Sequence, residues 1–260
     1  MEIDLTGRVA AITGGSRGIG RGIAEALLNA GASVAINGRS EAKGQQALNE
    51  MQGGERAAFF AGDVTKQADV EGFIDQTLER FGGLDILVNN AGGSSGFALI
   101  EDLSDDAWNE ANDWLLNSCF WATRRALKAM RRGGWGRIIN ISSVEGRQAN
   151  KATVSHYITF KHAMNGFTKA VAFEYGEMNI TCNAIGPGAV ETDLMTESGP
   201  AAAESMGISY EQFKQSYADE AAIKRLNTVE EVAGLSLFLA SELGAGITGA
   251  ILPVDGGTAL

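Results

Sequence analysis

Seven short apolar segments recur along the chain, and longer segments with helical periodicity separate them. Strands that are buried on both faces of a parallel sheet are typically apolar along their whole length. The alternation of strand and helix predicts an α/β fold with right-handed crossovers, in which helices flank both faces of a doubly wound, seven-stranded parallel sheet. The predicted strands are 9–13, 33–37, 57–61, 85–89, 137–141, 181–185 and 251–254. The predicted helices are 19–29, 41–51, 69–81, 105–130, 154–175 and 229–241.

The length and the charge of the chain limit what it can be. Its 260 residues suit one large domain, and we predict a single domain over residues 1–260. A net charge of −11 argues against binding to nucleic acid or to an anionic membrane surface. No apolar run approaches the roughly 18 residues that span a bilayer, and the acidic start is not expected to be a signal peptide. Cys119 and Cys182 are expected to be buried free thiols, which together with these features predicts a cytoplasmic protein.

Residues 191–225 interrupt the alternation, because they contain no strand pattern and only weak helical periodicity. Long segments without regular structure are usually functional or disordered. The segment follows a strand at the carboxyl edge of the predicted sheet, where ligands bind in folds of this kind. We therefore predict a substrate-binding lid over 191–225, with an irregular surface insertion as the alternative.

A glycine-rich loop, TGGSRGIG at residues 13–20, follows the first predicted strand and opens the first predicted helix. Glycine is used where φ must be positive or where a ligand approaches the backbone closely, and a helix N-terminus favours an anion such as phosphate. The spacing is a variant of the Rossmann fingerprint, so the loop predicts dinucleotide binding, with a tight strand–helix turn as the alternative. The loop residues assigned to a cofactor are Gly14, Ser16, Arg17, Gly18, Ile19 and Gly20.

The end of the second predicted strand indicates which dinucleotide is bound. Folds that bind NAD place an acidic residue there to hold the ribose hydroxyls. This chain has Asn37-Gly38-Arg39-Ser40 at that point and no carboxylate. A guanidinium group binds phosphate through a fork of N–H donors, so Arg39 together with Arg17 favours NADP over NAD. The alternative is that both are solvated surface arginines.

Tyr157 and Lys161 lie four residues apart on a predicted helix and therefore share one face. A phenol with a pKa near 10 is a poor acid–base catalyst at neutral pH, and a nearby ammonium group is expected to lower that pKa. Ser142 and Ser143 follow the fifth predicted strand, at the edge where ligands bind. A hydroxyl group there can hydrogen-bond a carbonyl oxygen. The spacing of tyrosine and lysine is weak evidence by itself.

Taken together and in order, these motifs resemble those of the short-chain dehydrogenase/reductase family over essentially the full chain. The matching features are TGGSRGIG, Asp63-Val64, Asn89-Asn90-Ala91-Gly92, Asn117, the run Ile141-Ser142-Ser143, Tyr157 with Lys161, Asn183 to Gly188 with Thr192, and Asp255-Gly256-Gly257. Each feature alone is common, but the ordered set is specific to the classical type of this family.

The resemblance implies a role for each catalytic residue. Tyr157 would be the general acid in ketone reduction and the base in alcohol oxidation. Ser143, chosen over Ser142 because a Val-x-Gly stretch follows it, would orient the substrate carbonyl. Lys161 would bind the nicotinamide ribose and lower the pKa of the tyrosine. Asn117 would hold a water molecule that relays protons.

The resemblance also implies where the cofactor contacts the chain. Asp63 and Val64 would meet the adenine, Asn90 the adenosine ribose, and Val190 and Thr192 the nicotinamide carboxamide. The further cofactor positions are Ala91, Gly92, Pro187 and Gly188. No metal site is expected, since no cluster of His, Cys or Asp has ligand spacing.

The substrate is less well determined. The pattern resembles 3-oxoacyl-carrier-protein reductases and relatives that act on hydroxy acids, sugars and polyols. Glu177 stands where a carrier-protein enzyme has a basic residue, so a small or CoA-linked ketone is favoured. Glu145, just after the catalytic serine, either shapes substrate choice or is a solvated loop acid. A catalytically silent dinucleotide sensor is the non-enzyme alternative. The resemblance also implies a homotetramer.

Overall fold

Seven parallel strands form one sheet in the computed structural model, which describes residues 3–258. Their order across the sheet is β3-β2-β1-β4-β5-β6-β7. The strands are β1 (Val9–Ile12), β2 (Ser33–Gly38), β3 (Ala57–Ala61), β4 (Ile86–Asn89), β5 (Gly136–Ile141), β6 (Ile180–Pro187) and β7 (Ile251–Val254). All seven lie where the sequence predicted them, so the doubly wound parallel sheet is confirmed.

The strand order reverses its direction between β1 and β4, the two strands at the centre of the sheet. Every residue of both strands is buried. They pair in register, with Ala11 opposite Leu87 and Ile12 opposite Val88. From β1 the chain proceeds outward through β2 and β3, and from β4 it proceeds the other way. The connection from β1 to β2 and the connection from β4 to β5 lie on opposite faces of the sheet. A crevice therefore opens at the carboxyl ends of β1 and β4.

Helices cover both faces of the sheet. Within the described residues they are α1 (Gly18–Asn29), α2 (Glu41–Met51), α3 (Gln67–Phe81), α4 (Asp105–Asn112), α5 (Ser118–Gly133), α6 (Ser155–Tyr175), α7 (Asp193–Ser205), α8 (Tyr210–Glu220) and α9 (Val229–Ala240). One apolar cluster, which includes Ile23 and Val232, fills the side of α1 and α9. A second, which includes Phe73 and Leu127, fills the side of α3 and α5. Five of the six helices expected from periodicity are present as single helices, and the sixth, over 105–130, is divided in two.

The single helix predicted over 105–130 is interrupted by a π-helical turn at Asp113–Asn117. There the N–H of Ser118 donates to the carbonyl of Asp113, five residues back. The wider turn buries Leu115 completely against Phe160 of α6. A continuous periodicity cannot reveal such a turn, because one inserted residue shifts the apolar pattern by less than a third of a turn.

The expectation that 191–225 lacks regular structure is wrong, because the segment contains α7 and α8. Their N-termini are capped by the hydroxyls of Thr192 and Ser209. The two helices contact each other where the hydroxyl of Tyr210 donates to the carbonyl of Met195 at 3.2 Å. The buried residues within the two helices are Gly199, Ala203 and Ala218. Small residues contribute little to a hydrophobic pattern, so the sequence periodicity was weak.

Both cysteine thiols are free and buried, as expected. Between residues 3 and 258, we find no helix with the length and apolar character needed to cross a membrane.

Candidate active site

A cleft of about 640 Å³ opens at the carboxyl edge of the sheet, above the ends of β1 and β4. Most of the residues predicted to bind the cofactor or substrate line it. They are Gly14, Ser16, Arg17, Gly18, Ile19, Arg39, Asp63, Val64, Asn90, Ala91, Gly92, Ser143, Tyr157, Lys161, Pro187, Gly188 and Thr192. The lining does not include Gly20, Asn117 and Val190.

The glycine loop is pressed closely against the end of β4. Gly14 and Gly18 have positive φ values of +65° and +53°. A Cβ atom on Gly14 would lie 3.0 Å from the Cα atom of Ala91. On Gly20 it would lie 2.3 Å from the Asn90 side-chain nitrogen and 2.4 Å from the carbonyl oxygen of Gly14. Gly20 therefore packs against the loop and Asn90 and does not line the cleft.

Side-chain hydrogen bonds fix the same contact. The hydroxyl oxygen of Thr13 accepts the backbone N–H groups of Asn90 and Ala91 at 3.0 and 3.1 Å. The side-chain amide of Asn90 donates to the carbonyls of Thr13 and Gly14 at 3.0 and 3.1 Å. Asn90 thus contacts the loop, and these hydrogen bonds hold its side chain in place at the cleft.

The N-terminus of α1 holds an anionic group from α7. The N–H of Gly18 donates to a carboxylate oxygen of Asp193 at 3.4 Å. Arg17 forms an ion pair with Glu197 at 3.2 Å. The first turn of α1 contains no acidic residue of its own, so the dipole of α1 favours an anion from elsewhere. The two carboxylates occupy this end as a phosphate would, and the residues present therefore fit a dinucleotide.

Arg39 lies at the other end of the cofactor half of the cleft, near Asp63. Burial alone would raise the pKa of Asp63. Hydrogen bonds from the N–H and hydroxyl of Thr65, at 3.1 and 2.9 Å, and the charge of Arg39 outweigh this and lower it. Ser40 and Lys43 line the same end, and the sequence analysis did not assign them. Lys43 lies in the first turn of α2, and its distance of four residues from Arg39 could have indicated it.

Lys161 is buried in the floor of the cleft, with 3% of its surface exposed. Its ammonium group donates to the carbonyl of Ile141 at 2.7 Å, at the end of β5. It lies 5.6 Å from the ring centroid of Tyr157, one helical turn away on α6. Burial lowers the pKa of Lys161 from 10.5 to about 8. The predicted proximity of the two side chains is therefore present.

The pKa of Tyr157 shifts in the direction opposite to the expected one. Burial raises it above its ordinary value of 10.0, and the negative charge of Glu145 adds to this effect. The hydroxyl of Ser143 lowers the pKa of Tyr157 but does not outweigh burial. In this structure the cost of removing the phenolate from water exceeds any stabilisation by the nearby ammonium group.

The two candidate serines have different surroundings. The hydroxyl of Ser142 donates to the carbonyl of Lys161 at 3.4 Å. The hydroxyl of Ser143 lines the cleft with Tyr157, lowers the pKa of that phenol, and accepts the N–H of Glu145 at 3.1 Å. Ser143 is therefore the serine placed beside the phenol.

Asn117 and Val190 lie near the site but not on its wall. Asn117 ends the π-helical turn, and its side chain donates to the carboxylate of Asp113 at 2.6 Å. Val190 is buried and pairs with Asn227 in an isolated parallel bridge. Thr192, which lines the cleft, also caps α7 through its hydroxyl.

The cleft is also lined by residues that the sequence analysis did not assign: Glu110, Trp114 and Leu194. The guanidinium group of Arg39 lies 5.8 Å from the centroid of the Trp114 ring. His156 is buried and contacts the carbonyl of Ser95 at 3.0 Å, as a packing residue would. Within residues 3–258, no three side chains of the metal-binding types lie close enough together to hold an ion.

Comparison with known proteins agrees with this geometry. The family described as "Enoyl-(Acyl carrier protein) reductase" matches residues 14–259. D-beta-hydroxybutyrate dehydrogenase of Cupriavidus necator is 39% identical over 255 residues, which are 97% of this chain and 98% of that protein. The 3-oxoacyl-(acyl-carrier-protein) reductase FabG of Aquifex aeolicus is 36% identical over 259 residues, 99% of both chains.

Among solved structures, the fold is similar to that of L-sorbose reductase from Gluconobacter frateurii, crystallised with NADPH and L-sorbose. The TM-score is 0.94 and the sequence identity 32%, and the match covers 99% of this chain and 98% of that one.

Proposed function

The chain belongs to the short-chain dehydrogenase/reductase family, and from this premise we propose that it is an NADP(H)-dependent oxidoreductase that interconverts a ketone and a secondary alcohol. One observation carries the proposal. Ser143, Tyr157 and Lys161 meet at one end of a cleft whose other end is the glycine loop. A dinucleotide lying along this cleft would bring its nicotinamide end to the catalytic side chains.

When bound, the nicotinamide coenzyme supplies or accepts the hydride. The chain provides the positions that hold it: the glycine loop and the N-terminus of α1 for the pyrophosphate, Asp63 and Val64 for the adenine, Asn90, Ala91 and Gly92 along the β4 edge, and Pro187, Gly188, Val190 and Thr192 toward the nicotinamide. Gly20 and Val190 contribute by packing, since neither lines the cleft.

Tyr157 acts as the general acid in the reductive direction. The phenol is protonated at neutral pH and can give its proton to the carbonyl oxygen, and its raised pKa makes it a weaker acid than an exposed tyrosine. Ser143, which lines the cleft beside Tyr157, donates to the same oxygen as negative charge develops on it. Lys161 has a pKa of about 8 and is mostly charged at neutral pH, and the carbonyl of Ile141 fixes its position.

For Asn117 we propose a supporting role. It ends the π-helical turn that includes Leu115, and Leu115 packs with Phe160 and Tyr157. A water molecule held at this turn would relay protons to the site from the side of α6 that faces away from the cleft.

The preference for NADP over NAD rests on Arg17 and Arg39, with Lys43 as a third cation at the cleft. The L-sorbose reductase with a similar fold was crystallised with NADPH, which supports the same cofactor here. NAD is the less favoured alternative, because no carboxylate follows β2.

A small or CoA-linked ketone is the proposed substrate. The similarity to FabG keeps a 3-oxoacyl-carrier-protein reductase as an alternative, and the other two relatives support a hydroxy-acid or sugar dehydrogenase. Glu177 is exposed at the end of α6, where a carrier protein would need a basic residue. The α7–α8 segment would serve as the lid over the substrate end.

We further propose a cytoplasmic homotetramer. Phe120 on α5 and Phe173 on α6 are exposed, and family members bury these two helices between subunits. A silent dinucleotide sensor remains the non-enzyme alternative, although a sensor has no need for the full catalytic set.

A panel of ketones with NADPH and with NADH, monitored by the absorbance of the reduced coenzyme, tests the proposal. We expect turnover with NADPH and a weaker response with NADH. Tyr157→Phe removes the transferable proton, so turnover should fall at least about a hundredfold while NADPH binding changes little. Binding of NADPH without turnover of any ketone by the wild type would support the sensor instead.

A further inference from the structure

A groove of about 440 Å³ adjoins the cleft and lies between α1, α2 and α7. Ser16, Arg17 and Lys43 line both the groove and the cleft. Asp193 and Glu197 line the groove and not the cleft, and they share one face of α7 because they lie four residues apart. The groove therefore brings two carboxylates of α7 next to cations that are proposed to bind the coenzyme.

Asp193 lies at the N-terminus of α1, where the pyrophosphate is proposed to bind. The N–H of Gly18 donates to its carboxylate at 3.4 Å. The two elements are close at this point, since a Cβ atom on Gly18 would lie 3.6 Å from side-chain atoms of Thr192. The N–H groups at a helix N-terminus are the donors that bind a phosphate. A pyrophosphate and the carboxylate of Asp193 would therefore compete for the same donor.

Glu197 holds Arg17 in a similar way. Their ion pair has a distance of 3.2 Å, and 42% and 57% of the Arg17 and Glu197 side chains are exposed. Because both are exposed, the pair contributes little to stability, and a competing anion can separate it. Among residues 3–258, no carboxylate forms an ion pair with Arg39 or Lys43, the other two cations proposed for the 2′-phosphate. Of these three cations, Arg17 is the one that already has an anionic partner.

The glycine loop places Arg17 near the end of β2. A Cβ atom on Gly38, the last residue of β2, would lie 3.0 Å from the hydroxyl oxygen of Ser16. Arg17 follows Ser16 and shares the groove with Lys43 of α2. Dinucleotide-binding folds hold the adenosine ribose at the end of this strand. The ion pair between Arg17 and Glu197 therefore lies at the end of the cleft where the ribose and its 2′-phosphate would bind.

From this arrangement we propose that Glu197 is a specificity-determining residue that reduces the preference for NADP(H) over NAD(H), whereas Asp193 reduces the affinity for both coenzymes. The inference rests on the proposed function. Glu197 competes for Arg17 with the 2′-phosphate, which only NADP(H) carries. Asp193 competes for the N–H of Gly18 with the pyrophosphate, which both coenzymes carry. Like charges repel at short distance, so each carboxylate has to leave its partner before the phosphate binds.

Calorimetric titration of the whole chain with NADPH and with NADH tests the inference through the dissociation constants. Removing the charge of Glu197 frees Arg17, so Glu197→Gln should bind NADPH about fivefold more tightly than the wild type and NADH within about twofold. Asp193→Asn should bind both coenzymes about threefold more tightly and leave their ratio unchanged. Glu204→Gln is the matched control and should bind as the wild type does, because Glu204 is an exposed acid of α7 that lines neither the groove nor the cleft.

Two further measurements separate an effect of charge from an effect of structure. The gain in NADPH affinity in Glu197→Gln should shrink as the ionic strength rises from about 0.02 M to about 0.5 M, because salt screens exposed charges. Adenosine 2′,5′-bisphosphate should bind more tightly to Glu197→Gln by the same factor as NADPH, whereas 5′-AMP should not. Glu197→Lys should increase the gain further, and it takes the place of Glu197→Gln if the melting temperature shows that variant to be unfolded.

Weaker binding of NADPH to Glu197→Gln would overturn the inference, because the carboxylate would then orient Arg17 for the coenzyme. An equal gain for NADH, a gain that is independent of salt, or an equal effect of Glu204→Gln would also overturn it. If the wild type binds neither NADPH nor NADH, the proposed function fails, and the inference fails with it. If the wild type reduces ketones with NADPH but neither α7 variant changes its affinity, the inference alone fails.

Discussion

Burial governs the ionisation of two side chains that lie one turn apart on α6. Lys161 and Tyr157 are both removed from water, which lowers the pKa of the ammonium group and raises that of the phenol. Each shift favours the neutral form of its group. At neutral pH the phenol keeps its proton, while the lysine titrates close to the working range.

The buried ammonium group should make stability depend on pH. The pKa of Lys161 is about 8 when folded and about 10.5 when unfolded, so between these values the unfolded chain binds more protons. The contribution of Lys161 to the free energy of unfolding therefore rises with pH between about 8 and 10.5. Below pH 8 the protein bears the full free-energy cost of burying the charged ammonium group. Lys161→Met, which removes the charge, should gain stability over the wild type at pH 7.

Urea unfolding of Lys161→Met and the wild type between pH 7 and 10 measures this effect. The stability advantage of Lys161→Met should shrink by about 2–3 kcal/mol across the series. Lys169→Met, at an exposed position of the same helix, serves as the control and should show no such trend. An advantage that stays constant with pH would mean that the ammonium group of Lys161 is not destabilised by burial.

At the scale of elements, the close approach of α1 to the end of β4 forms the cofactor half of the cleft. The contact depends on glycine positions where a Cβ atom has no space, because the side-chain amide of Asn90 lies directly against the backbone of the loop. The π-helical turn and the short turn after β5 play a similar part on the other side of the cleft, because each packs against α6. Three irregular segments thus position the side chains that regular helices and strands carry.

Gly20→Ala should weaken the contact between α1 and β4. The added Cβ atom would lie 2.4 Å from the carbonyl oxygen of Gly14, so the backbone must shift. We expect a loss of about 1–3 kcal/mol in the free energy of unfolding and weaker NADPH binding. Chemical denaturation and a coenzyme titration measure the two effects.

Gly72→Ala is the matched control, since this glycine also lies inside a helix and its Cβ atom would come no closer than 3.8 Å to a neighbouring atom. That substitution should be neutral or stabilising by up to about 1 kcal/mol. If the two substitutions changed stability equally, the close approach to the carbonyl oxygen of Gly14 would not be the cause of the loss in Gly20→Ala.

At the scale of the whole molecule, the surface carries apolar groups that one chain does not cover. Phe173 on α6 is 91% exposed, and the ring of Phe120 on α5 lies edge-on to Phe167 at 6.2 Å. Arg124 lies over the ring of Phe120 at 4.8 Å. Aromatic groups at this exposure are costly in water and typical of a subunit contact.

If α5 and α6 form a subunit contact, Phe173→Asp should break it. A buried, unpaired charge at an interface is strongly unfavourable, so we expect sedimentation to show smaller species than the tetramer of the wild type. Met206→Asp replaces an exposed apolar residue at the end of α7 and should leave the assembly unchanged. A wild type that sediments as a monomer would exclude the proposed tetramer.

The sequence alone determined the features that depend on local spacing. Continuous apolar runs identified all seven strands because buried parallel strands need no polar face. Tyr157 and Lys161 were paired because residues four apart on a helix share a side. The glycine loop was recognised because its backbone geometry needs glycine at fixed positions, and the ordered motifs indicated the family. These signals involve neighbours along the chain, which the sequence displays directly.

Tertiary structure alone decided what depends on distant neighbours. The helices α7 and α8 became visible only through their caps and their contact with each other, since few large apolar residues mark them. The raised pKa of Tyr157 follows from burial, which spacing does not give. Glu145 could equally have been a solvated loop acid, and only the packing of its turn on α6 shows it buried without a partner. Burial is a sum over contacts from many elements, and no short stretch of sequence contains that sum.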